Sequence, residues 1–317
     1  MSENLLETRA LKKYFQNKAG MLHAVDGIDL SISAGTTLGV VGESGCGKTT
    51  LGRTVIGLLP ATSGEIIYDG RDIAGYKKKQ MHALRKEVQI IFQDPYSSIN
   101  PRHTVSQIIG EPLLVNGVIK EPGKRKERVM ELMETVGLAH RLFNSYPHEL
   151  DGGRRQRIGI ARALSVNPKF IVCDEPVSAL DVSIQAQTLN LLMDLQEQMG
   201  LTYMFITHDL SVVRHISNEI MVMYLGKCVE KCESKELFRD PKHPYTKALL
   251  SAIPIPNAKA RSVVTELLRG ELTSPINPAP GCRFAARCPR AEDRCRGREI
   301  ELREIGGGHH VSCVLYE

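Results

Sequence analysis

Gly42-Glu43-Ser44-Gly45-Cys46-Gly47-Lys48-Thr49 decides the fold of this chain, because it matches the phosphate-loop pattern G-x-x-x-x-G-K-[ST] without a gap. The apolar run Thr37 to Val41 before it predicts a short buried strand, and the sequence from Lys48 onward predicts a helix. Glycines let successive backbone N–H groups turn towards one anion, and the helix N-terminus adds its positive dipole end. We therefore expect Lys48 to reach the β- and γ-phosphates of a nucleotide, and the Thr49 hydroxyl to help hold Mg²⁺.

The whole-chain composition is that of an ordinary globular protein. The chain has 317 residues, of which 42% are hydrophobic and 24% charged, and its formal net charge is +5. That charge is compatible with phosphate ligands but gives no reason to expect nucleic acid as a partner. No apolar run approaches the roughly 18 residues that span a bilayer, and the N-terminus lacks an apolar signal core. We therefore expect no secretion, and eight cysteines in a reducing compartment where disulfides are rare.

Strand and helix signals alternate along most of the chain. Residues 8–75 are rich in strand and turn signals, and a further apolar strand is predicted at Val88 to Phe92. Between about residues 100 and 164, apolar residues repeat every three or four positions, which indicates amphipathic helices inserted into an α/β core. This alternation predicts an α/β fold with a parallel sheet covered by helices. The remaining predicted elements are strands at Phe170–Cys173, Tyr203–Ile206 and Ile220–Met223, and a helix at Val182–Met199.

Polar side chains follow three of the predicted strands. Asp174-Glu175 ends one strand, Gln93 follows another, and His208 follows a third. In a phosphate-loop ATPase the first acid of such a pair helps to hold Mg²⁺, and the second orients or deprotonates the attacking water. The Gln93 amide is then a candidate for Mg²⁺ and that water, and the His208 imidazole for the γ-phosphate. An isolated residue of these types at a strand end is usually a solvated loop residue, so the assignments depend on the rest of the pattern.

Two further peptides complete the pattern. The stretch LDGGRRQRIGIARAL occupies Leu150 to Leu164, and Ser178-Ala179-Leu180-Asp181 closely follows the acid pair. With the phosphate loop, Gln93 and His208 they form five ordered motifs. Over about residues 6–255 the chain therefore resembles the nucleotide-binding subunit of an ABC transporter.

This resemblance implies a fold and a domain organisation. The expected α/β fold is an ABC-type P-loop ATPase core at residues 6–255, with an N-terminal antiparallel β region. A helical subdomain at about residues 100–164 would carry the signature peptide. A Cys-rich C-terminal extension would occupy residues 256–317.

The resemblance also assigns roles to individual residues. Asp174 corresponds to the Walker B acid, Glu175 to the catalytic base, Gln93 to the Q-loop and His208 to the switch histidine. Phe15, with Tyr14 as second choice, takes the place of the aromatic residue that stacks on adenine. The implied Mg²⁺ ligands are Thr49, Gln93 and Asp174. The other implied ATP contacts are in the Walker A loop, the signature peptide and the D-loop: Gly42, Glu43, Ser44, Gly45, Cys46, Gly47, Lys48, Thr49, Thr50, Asp151, Gly152, Gly153 and Asp181.

Partners are implied by the same resemblance. Two such subunits would sandwich two ATP molecules, each held by the Walker A loop of one subunit and the signature peptide of the other. Hydrolysis would let the two halves part, and this cycle would drive two integral membrane permease subunits. An extracytoplasmic substrate-binding protein would deliver the cargo, and the chain would act at the cytoplasmic face of the inner membrane.

The signature peptide departs from the family pattern. The family usually reads Leu-Ser-Gly-Gly-Gln where this chain reads Leu150-Asp151-Gly152-Gly153-Arg154. A carboxylate cannot donate the hydrogen bond that the serine gives to the γ-phosphate, and it carries a like charge. At about 4 Å and an effective dielectric of about 20, each pair of like unit charges costs about 4 kcal/mol. Unless Asp151 turns aside, is protonated or is offset by Arg154, we expect a weak site and hence a heterodimer with a second ATPase subunit.

Four of the eight cysteines lie near the C-terminus, with the spacing C-x₅-C-x₆-C-x₁₇-C: Cys282, Cys288, Cys295 and Cys313. Four thiolates can hold Zn²⁺ or an iron–sulfur cluster, and the absence of a C-x₂-C pair makes zinc the less favoured of the two. The surrounding sequence resembles the C-terminal extension of the oligopeptide and dipeptide transport ATPases, which implies a structural [4Fe–4S] cluster. The peptides that carry this resemblance are Gly281 to Pro289, Phe92-Gln93-Asp94-Pro95, Asn100-Pro101-Arg102 and His243-Pro244-Tyr245-Thr246.

The leading interpretation is an ATPase subunit that powers the import of oligopeptides or dipeptides. An alternative keeps the ATPase role but changes the cargo to nickel complexes, opines or glutathione. A third interpretation is a non-transport ABC ATPase acting on DNA or ribosomes. That class typically carries long coiled-coil inserts or two ATPase halves, and the sequence contains neither.

Overall fold

The computed structural model describes residues 4–94, 98–253 and 274–317. The predicted boundary at residues 255–256 and Pro95 of the second subfamily peptide lie outside the described residues. The described strands are β1 (Asn4–Asn17), β2 (Gly20–Ser33), β3 (Thr37–Val41), β4 (Ser63–Tyr68), β5 (Arg71–Asp72), β6 (Val88–Ile91), β7 (Phe170–Asp174), β8 (Thr202–Ile206), β9 (Glu219–Tyr224), β10 (Lys227–Glu233), β11 (Arg303–Glu304) and β12 (His310–Val311). The described α-helices are α1 (Lys48–Val55), α2 (Lys78–Glu87), α3 (Val105–Val115), α4 (Pro122–Thr135), α5 (Gly152–Leu164), α6 (Val182–Met199), α7 (Leu210–Ile216), α8 (Ser234–Arg239) and α9 (Pro244–Ser251).

The elements predicted from hydrophobic pattern are present. Strand β3 and helix α6 have the predicted bounds, and α1 begins at Lys48 as expected. Helix α2 was not predicted from the sequence. Leu84 is the one buried residue of that helix, so its apolar pattern is too weak to identify it.

One compact unit contains the described parts of residues 33–36 and 75–206. Its strands are parallel, and β7 lies between β6 and β8. Strands β7 and β8 are buried along their whole length, as expected for strands covered on both faces. Within the helical part of this unit, α3 packs against both α4 and α5.

The other compact unit contains the described parts of residues 4–32, 37–74 and 207–317. Four strands form a sheet in the order β2-β1-β4-β5, with β1–β4 and β4–β5 antiparallel. Strand β3 pairs with β9 in parallel, and β9 pairs with β10 antiparallel. The C-terminal extension contributes β12, which pairs with β10, and β11, which pairs with β12. The described part of the extension therefore belongs to the same compact unit as the phosphate loop and the N-terminal strands.

Among the described residues, no helix combines the length and the apolar character required to cross a bilayer.

Candidate functional site

The phosphate loop runs from the end of β3 to the first residue of α1, and two of its glycines are required by close approach of other backbone. Gly42 and Gly47 have φ values of +152° and +107°. A Cβ atom at Gly42 would lie 2.2 Å from the Met223 carbonyl oxygen, and one at Gly47 would lie 2.0 Å from the Ala24 carbonyl oxygen. A side chain at either position would displace the loop from the backbone behind it.

Lys48 is buried, and its ammonium group points back over the loop. It donates hydrogen bonds to the carbonyl oxygens of Gly42 at 2.7 Å and Glu43 at 3.0 Å. Neutral carbonyl oxygens compensate the buried positive charge of Lys48 only in part. An anion that binds beside them is therefore stabilised by that charge. The donor set of this loop therefore fits a phosphate group. Ser44 and Gly45 form its exposed tip, and Thr49 and Thr50 lie in the first turn of α1.

Glu43 makes hydrogen bonds through both its side chain and its backbone. The Arg287 guanidinium donates two hydrogen bonds to the Glu43 carboxylate, at 2.8 and 3.1 Å. The Glu43 N–H donates to the Tyr245 hydroxyl at 2.8 Å. Both partners lie in the C-terminal part of the chain, so the phosphate loop is connected to a region far away in sequence.

Cys46 is also within the loop, and its side chain is enclosed. Its thiol is 2% exposed, and burial raises its pKa against the lowering effect of Lys48. Its carbonyl oxygen accepts a hydrogen bond of 2.8 Å from the Gly226 N–H. A protonated, enclosed thiol reacts slowly with thiol reagents, so the contribution of Cys46 is through its backbone.

His208 belongs to the same compact unit as the phosphate loop. The residue before it, Thr207, donates its N–H to the Val40 carbonyl oxygen at 3.1 Å, close to the end of β3. The His208 side chain is exposed. The predicted switch histidine therefore directly follows Thr207, which is hydrogen-bonded to β3, the strand that leads into the phosphate loop.

The two aromatic candidates for adenine stacking occupy opposite faces of β1, because consecutive strand residues alternate. The Tyr14 ring stacks on His23 with centroids 3.9 Å apart, and its hydroxyl donates to Asp26. Phe15 is partly exposed, with the Lys13 ammonium 4.7 Å from its ring centroid. Tyr14 already has partners within the unit, which leaves Phe15 the better candidate for a ligand.

The acid pair and the Q-loop glutamine meet in the other unit. Asp174 is the buried last residue of β7, and Glu175 follows it with a left-handed backbone at φ +49°. The Gln93 side-chain amide donates to the Glu175 carboxylate at 2.9 Å. A left-handed glutamate is uncommon, and such conformations concentrate at functional sites. The structure thus brings together two of the three predicted catalytic residues.

Asp151 caps the signature helix. Its carboxylate accepts the Arg154 N–H at 2.7 Å and lies 3.3 Å from the Arg154 guanidinium. The pairing with Arg154 that the sequence suggested is therefore present. Gly153 packs closely on α6, since a Cβ there would lie 2.7 Å from the Ile184 side chain. Asp181 is the residue at the N-terminus of that same helix.

The four C-terminal cysteines line one small pocket, with Pro244, Ile300 and Val314 among its walls. Burial and the neighbouring cysteines raise the pKa of Cys282 to about 11, against a backbone hydrogen bond from Phe284 that lowers it. Burial also raises the pKa of Cys313. No group of three or more Cys, His, Asp or Glu side chains within residues 4–94, 98–253 and 274–317 is arranged to hold a metal ion.

Three residues at the phosphate loop were not identified from the sequence as site residues. Arg283 and Arg287 lie between the first two cysteines, and Tyr245 lies in the peptide His243 to Thr246. Both peptides resemble a known subfamily, and that was the only signal available for them. The contacts of Tyr245 and Arg287 with the loop residue Glu43, and of Arg283 with Asp26 and Leu225, become visible only in the folded chain.

Comparison with known proteins identifies the family. A family model described as "ABC transporter" matches residues 25–178, and one described as "Oligopeptide/dipeptide transporter, C-terminal region" matches residues 229–295. The oligopeptide transport ATP-binding protein AppF of Bacillus subtilis (strain 168) is 50% identical, with 99% of this chain and 98% of that protein covered. OppF of Haemophilus influenzae, with the same description, is 50% identical over 96% of this chain and 92% of its own length.

Solved structures confirm the predicted ABC-type α/β fold. The post-hydrolysis dimer of the ATP-binding cassette MJ0796, bound to ADP and Pi, is 26% identical to this chain with a TM-score of 0.67. The match covers 72% of this chain and 98% of that one. Together with the full-length sequence similarity, this shows that the chain belongs to the ABC transporter family, among the ATP-binding subunits of the oligopeptide/dipeptide group.

Proposed function

We propose that this chain binds and hydrolyses ATP to power the import of oligopeptides or dipeptides through a membrane transporter. One observation carries the proposal: the region matched by the oligopeptide/dipeptide model contacts the phosphate loop itself, through Tyr245 and Arg287 on Glu43. The named role of the relatives AppF and OppF as oligopeptide transport ATP-binding proteins supports the same cargo.

The phosphate loop performs the binding step. The Lys48 ammonium exchanges its two carbonyl partners for oxygens of the β- and γ-phosphates, and backbone N–H groups of residues 44–49 donate to the same anion. Thr49, through its hydroxyl, and Asp174 and Gln93 are the residues that would hold Mg²⁺. That ion, when bound, neutralises charge on the phosphates. Phe15 stacks on the adenine.

Glu175 performs the proton-transfer step. Its carboxylate accepts a proton from the attacking water, and the Gln93 amide fixes the orientation of that carboxylate through their hydrogen bond. His208 donates to the γ-phosphate. Asp151, Gly152, Gly153 and Asp181 contribute to the ATP site of the partner subunit.

A complete importer requires further subunits. We assign to it a second ABC ATPase subunit, two integral membrane permease subunits and an extracytoplasmic substrate-binding protein, with this chain at the cytoplasmic face of the inner membrane. Residues 6–255 form the nucleotide-binding domain, with a helical subdomain at about residues 100–164. Residues 256–317 form the C-terminal extension.

The proposal is tested by reconstituting the chain with its permease subunits, its second ATPase and the substrate-binding protein in liposomes. We expect short peptides to stimulate ATP hydrolysis and to accumulate inside the vesicles. Stimulation by nickel complexes, opines or glutathione, but not by peptides, would favour the alternative cargo. Failure of the chain to associate with any membrane subunit would contradict the transport role.

The capping role of Asp151 refines the proposal that this subunit completes a weak ATP site. Serine and aspartate are both good N-cap residues, so either side chain starts α5 equally well. The Arg154 pair is about half exposed, and exposed ion pairs contribute only about 0–1 kcal/mol. Arg154 therefore offsets only part of the repulsion between a carboxylate and a γ-phosphate.

Asp151→Ser is accordingly expected to raise the ATPase rate of the reconstituted heterodimer several-fold, because it removes a negative charge and adds a hydroxyl donor. Asp151→Asn retains the cap but removes the charge, so it should recover part of that gain. Steady-state hydrolysis at saturating ATP measures both. An unchanged or lower rate in the serine variant would show that the carboxylate is not a defect.

The cysteine pocket is assigned to a structural [4Fe–4S] cluster, with Zn²⁺ as the alternative occupant. Four cysteines line one pocket and their sulfur atoms suit either group by donor chemistry, although the described side chains are not arranged around a common metal position in this structure. No disulfide joins these four described cysteines. Neutral thiols with raised pKa values become thiolates when a metal centre binds them. Such a centre would fix the fold of the extension.

Anaerobic purification followed by iron, sulfide and zinc analysis tests this assignment. We expect about four irons and four sulfides per chain. A Cys295→Ser variant, which removes the most buried donor of the four, should lose the iron while a Cys232→Ser variant retains it. Stoichiometric zinc without iron would identify the alternative occupant.

A further inference from the structure

The segment Cys282–Cys288, between the first two cysteines of the pocket, carries two nearly buried arginines. The side chains of Arg283 and Arg287 are 7% and 8% exposed. Turns close the segment, since the Ala285 N–H donates to Cys282 and the Arg287 N–H donates to Phe284. Buried guanidinium groups require carboxylate partners, and both of these find one outside the extension.

Arg287 is two interactions away from the phosphate-binding lysine. Its guanidinium holds the Glu43 carboxylate in a bidentate pair, a geometry that fixes orientation as well as charge. The carbonyl oxygen of the same glutamate accepts the Lys48 ammonium at 3.0 Å. A change in the position of Arg287 is therefore transmitted to Glu43 and through it to Lys48.

Phe284 provides a second connection from the segment to Glu43. Its ring lies 5.3 Å from the rings of both Tyr224 and Tyr245, and it is 1% exposed. The Tyr245 hydroxyl accepts the Glu43 N–H. The segment thus holds Glu43 through an ion pair on its side chain and through an aromatic contact that supports its backbone.

Arg283 is connected to the loop indirectly, through Asp26 and Gly226. It donates to the Asp26 carboxylate, which also accepts the Tyr14 hydroxyl, and to the Leu225 carbonyl oxygen. The Asp26 N–H donates to Gly226 at 2.9 Å, and the Gly226 N–H donates to Cys46 in the loop at 2.8 Å. Burial tends to raise the pKa of Asp26, but Tyr14 and the surrounding cations lower it to about 2, so this anchor stays ionised.

We infer that the segment Cys282–Cys288 couples the four-cysteine pocket to ATP affinity, with Arg287 as the principal positioning residue and Arg283 as the second. This inference rests on the proposed binding of ATP at the phosphate loop. While the pocket is intact, the segment holds Glu43 and the loop is ordered before the nucleotide arrives. When the thiols are blocked or replaced, the segment is released, and ATP must bind a less ordered loop.

The ion pair is tested with Arg287→Met and Arg287→Lys in the full-length protein, using a fluorescent ATP analogue to measure affinity. We expect about tenfold weaker binding for methionine, equivalent to about 1.4 kcal/mol, and a smaller loss for lysine, which keeps the charge but not the fork. In the reconstituted transporter the KM for ATP should rise while kcat changes little. Arg303→Met, which removes an exposed arginine on β11, is the matched control and should bind normally.

The coupling to the pocket is tested with a double-mutant cycle of Cys288→Ser and Arg287→Met. The serine substitution should weaken ATP binding in the wild-type background and have much less effect once Arg287 is replaced. Equal effects in both backgrounds would overturn the coupling.

Linkage provides a second measurement that does not need the cysteine variant to fold. Because coupling is reciprocal, ATP should slow the release of the bound metal centre to a chelator, and the alkylation of the freed pocket thiols by iodoacetamide, in the wild type but not in Arg287→Met. The inference is wrong if wild-type protein binds ATP, Arg287→Met binds it equally well, and ATP does not slow alkylation of the pocket thiols. If wild-type protein does not bind ATP, the proposed function itself fails.

Discussion

Replacing Glu175 by glutamine is expected to lower the rate of ATP hydrolysis by about 10²- to 10⁴-fold, the usual contribution of a positioned general base. Glutamine has the same shape and can occupy the same left-handed backbone, but it cannot accept a proton from water. Its side chain can still bond to Gln93, so the local structure should be preserved. ATP affinity should therefore remain close to that of the wild type.

Hydrolysis and binding must be measured separately to interpret this variant. Single-turnover hydrolysis in the assembled transporter gives the chemical rate, and a fluorescent ATP analogue gives the affinity. Lys48→Ala should show the opposite pattern, with affinity lost. Glu197→Gln removes an exposed carboxylate from α6 and serves as the matched control for the charge change. A Glu175→Gln enzyme with more than about a tenth of the wild-type rate would assign the base to another residue.

At the Glu175 site, some features could be predicted from the sequence and others could not. The strand, the acid pair and the Q-loop were predicted, since each depends on local pattern and on one short motif. The sequence could not predict the left-handed backbone at Glu175, because that conformation is fixed by tertiary bonds. Its N–H donates to Ile206 at 2.9 Å and its carbonyl oxygen accepts from Ser178, and the first of these joins separate elements.

The sequence at Asp151 contains a helix-capping signal that was not used to predict the start of α5. An aspartate before a helix is a strong capping signal, yet Asp151 was considered only for its charge, its lack of a hydrogen-bond donor and its pairing with Arg154. The structure adds that the carboxylate is engaged with the first turn of α5. The expected defect is therefore one of charge and donor chemistry, with the helix itself intact.

The contacts of the extension could not be read from the sequence at all. Arg287 and Glu43 are separated by 244 residues, and no periodicity links positions so far apart. Strands β11 and β12 have two residues each, too few for an alternating pattern to appear. The cysteine spacing predicted a metal or cluster site, but the arginines between the cysteines carry the connection to the phosphate loop.

Replacing Glu230 by alanine is expected to reduce the free energy of unfolding by about 3–5 kcal/mol, the usual loss when one partner of a buried charged network is removed. Glu230 is fully buried in β10. Its carboxylate accepts the Lys242 N–H at 2.7 Å, the His243 N–H at 2.9 Å and the His309 imidazole at 2.7 Å. It therefore joins three parts of the unit: the sheet, the start of α9 and the C-terminal extension.

Alanine would leave two backbone donors and one imidazole buried without an acceptor. Glu230→Gln should cost less than alanine, because its carbonyl oxygen can replace one carboxylate oxygen. It should still destabilise the protein, because its NH2 group would face a donor. Glu304→Gln is the matched control, since Glu304 is exposed and its carboxylate accepts the Gly308 N–H. It should change stability by no more than about 0.5 kcal/mol.

Urea unfolding of the three variants gives the ranking, and hydrogen exchange locates the damage. In Glu230→Ala, the amides of β12 and of α9 should exchange faster than in the wild type, because their shared acceptor is gone. Since Tyr245 lies in α9 and holds the Glu43 N–H, the loosened unit should also bind ATP more weakly. Glu230→Ala protein with wild-type stability and unchanged exchange in β12 would mean that His309 and the α9 terminus find other acceptors. The extension would then be held to the phosphate loop by its arginines and by Phe284.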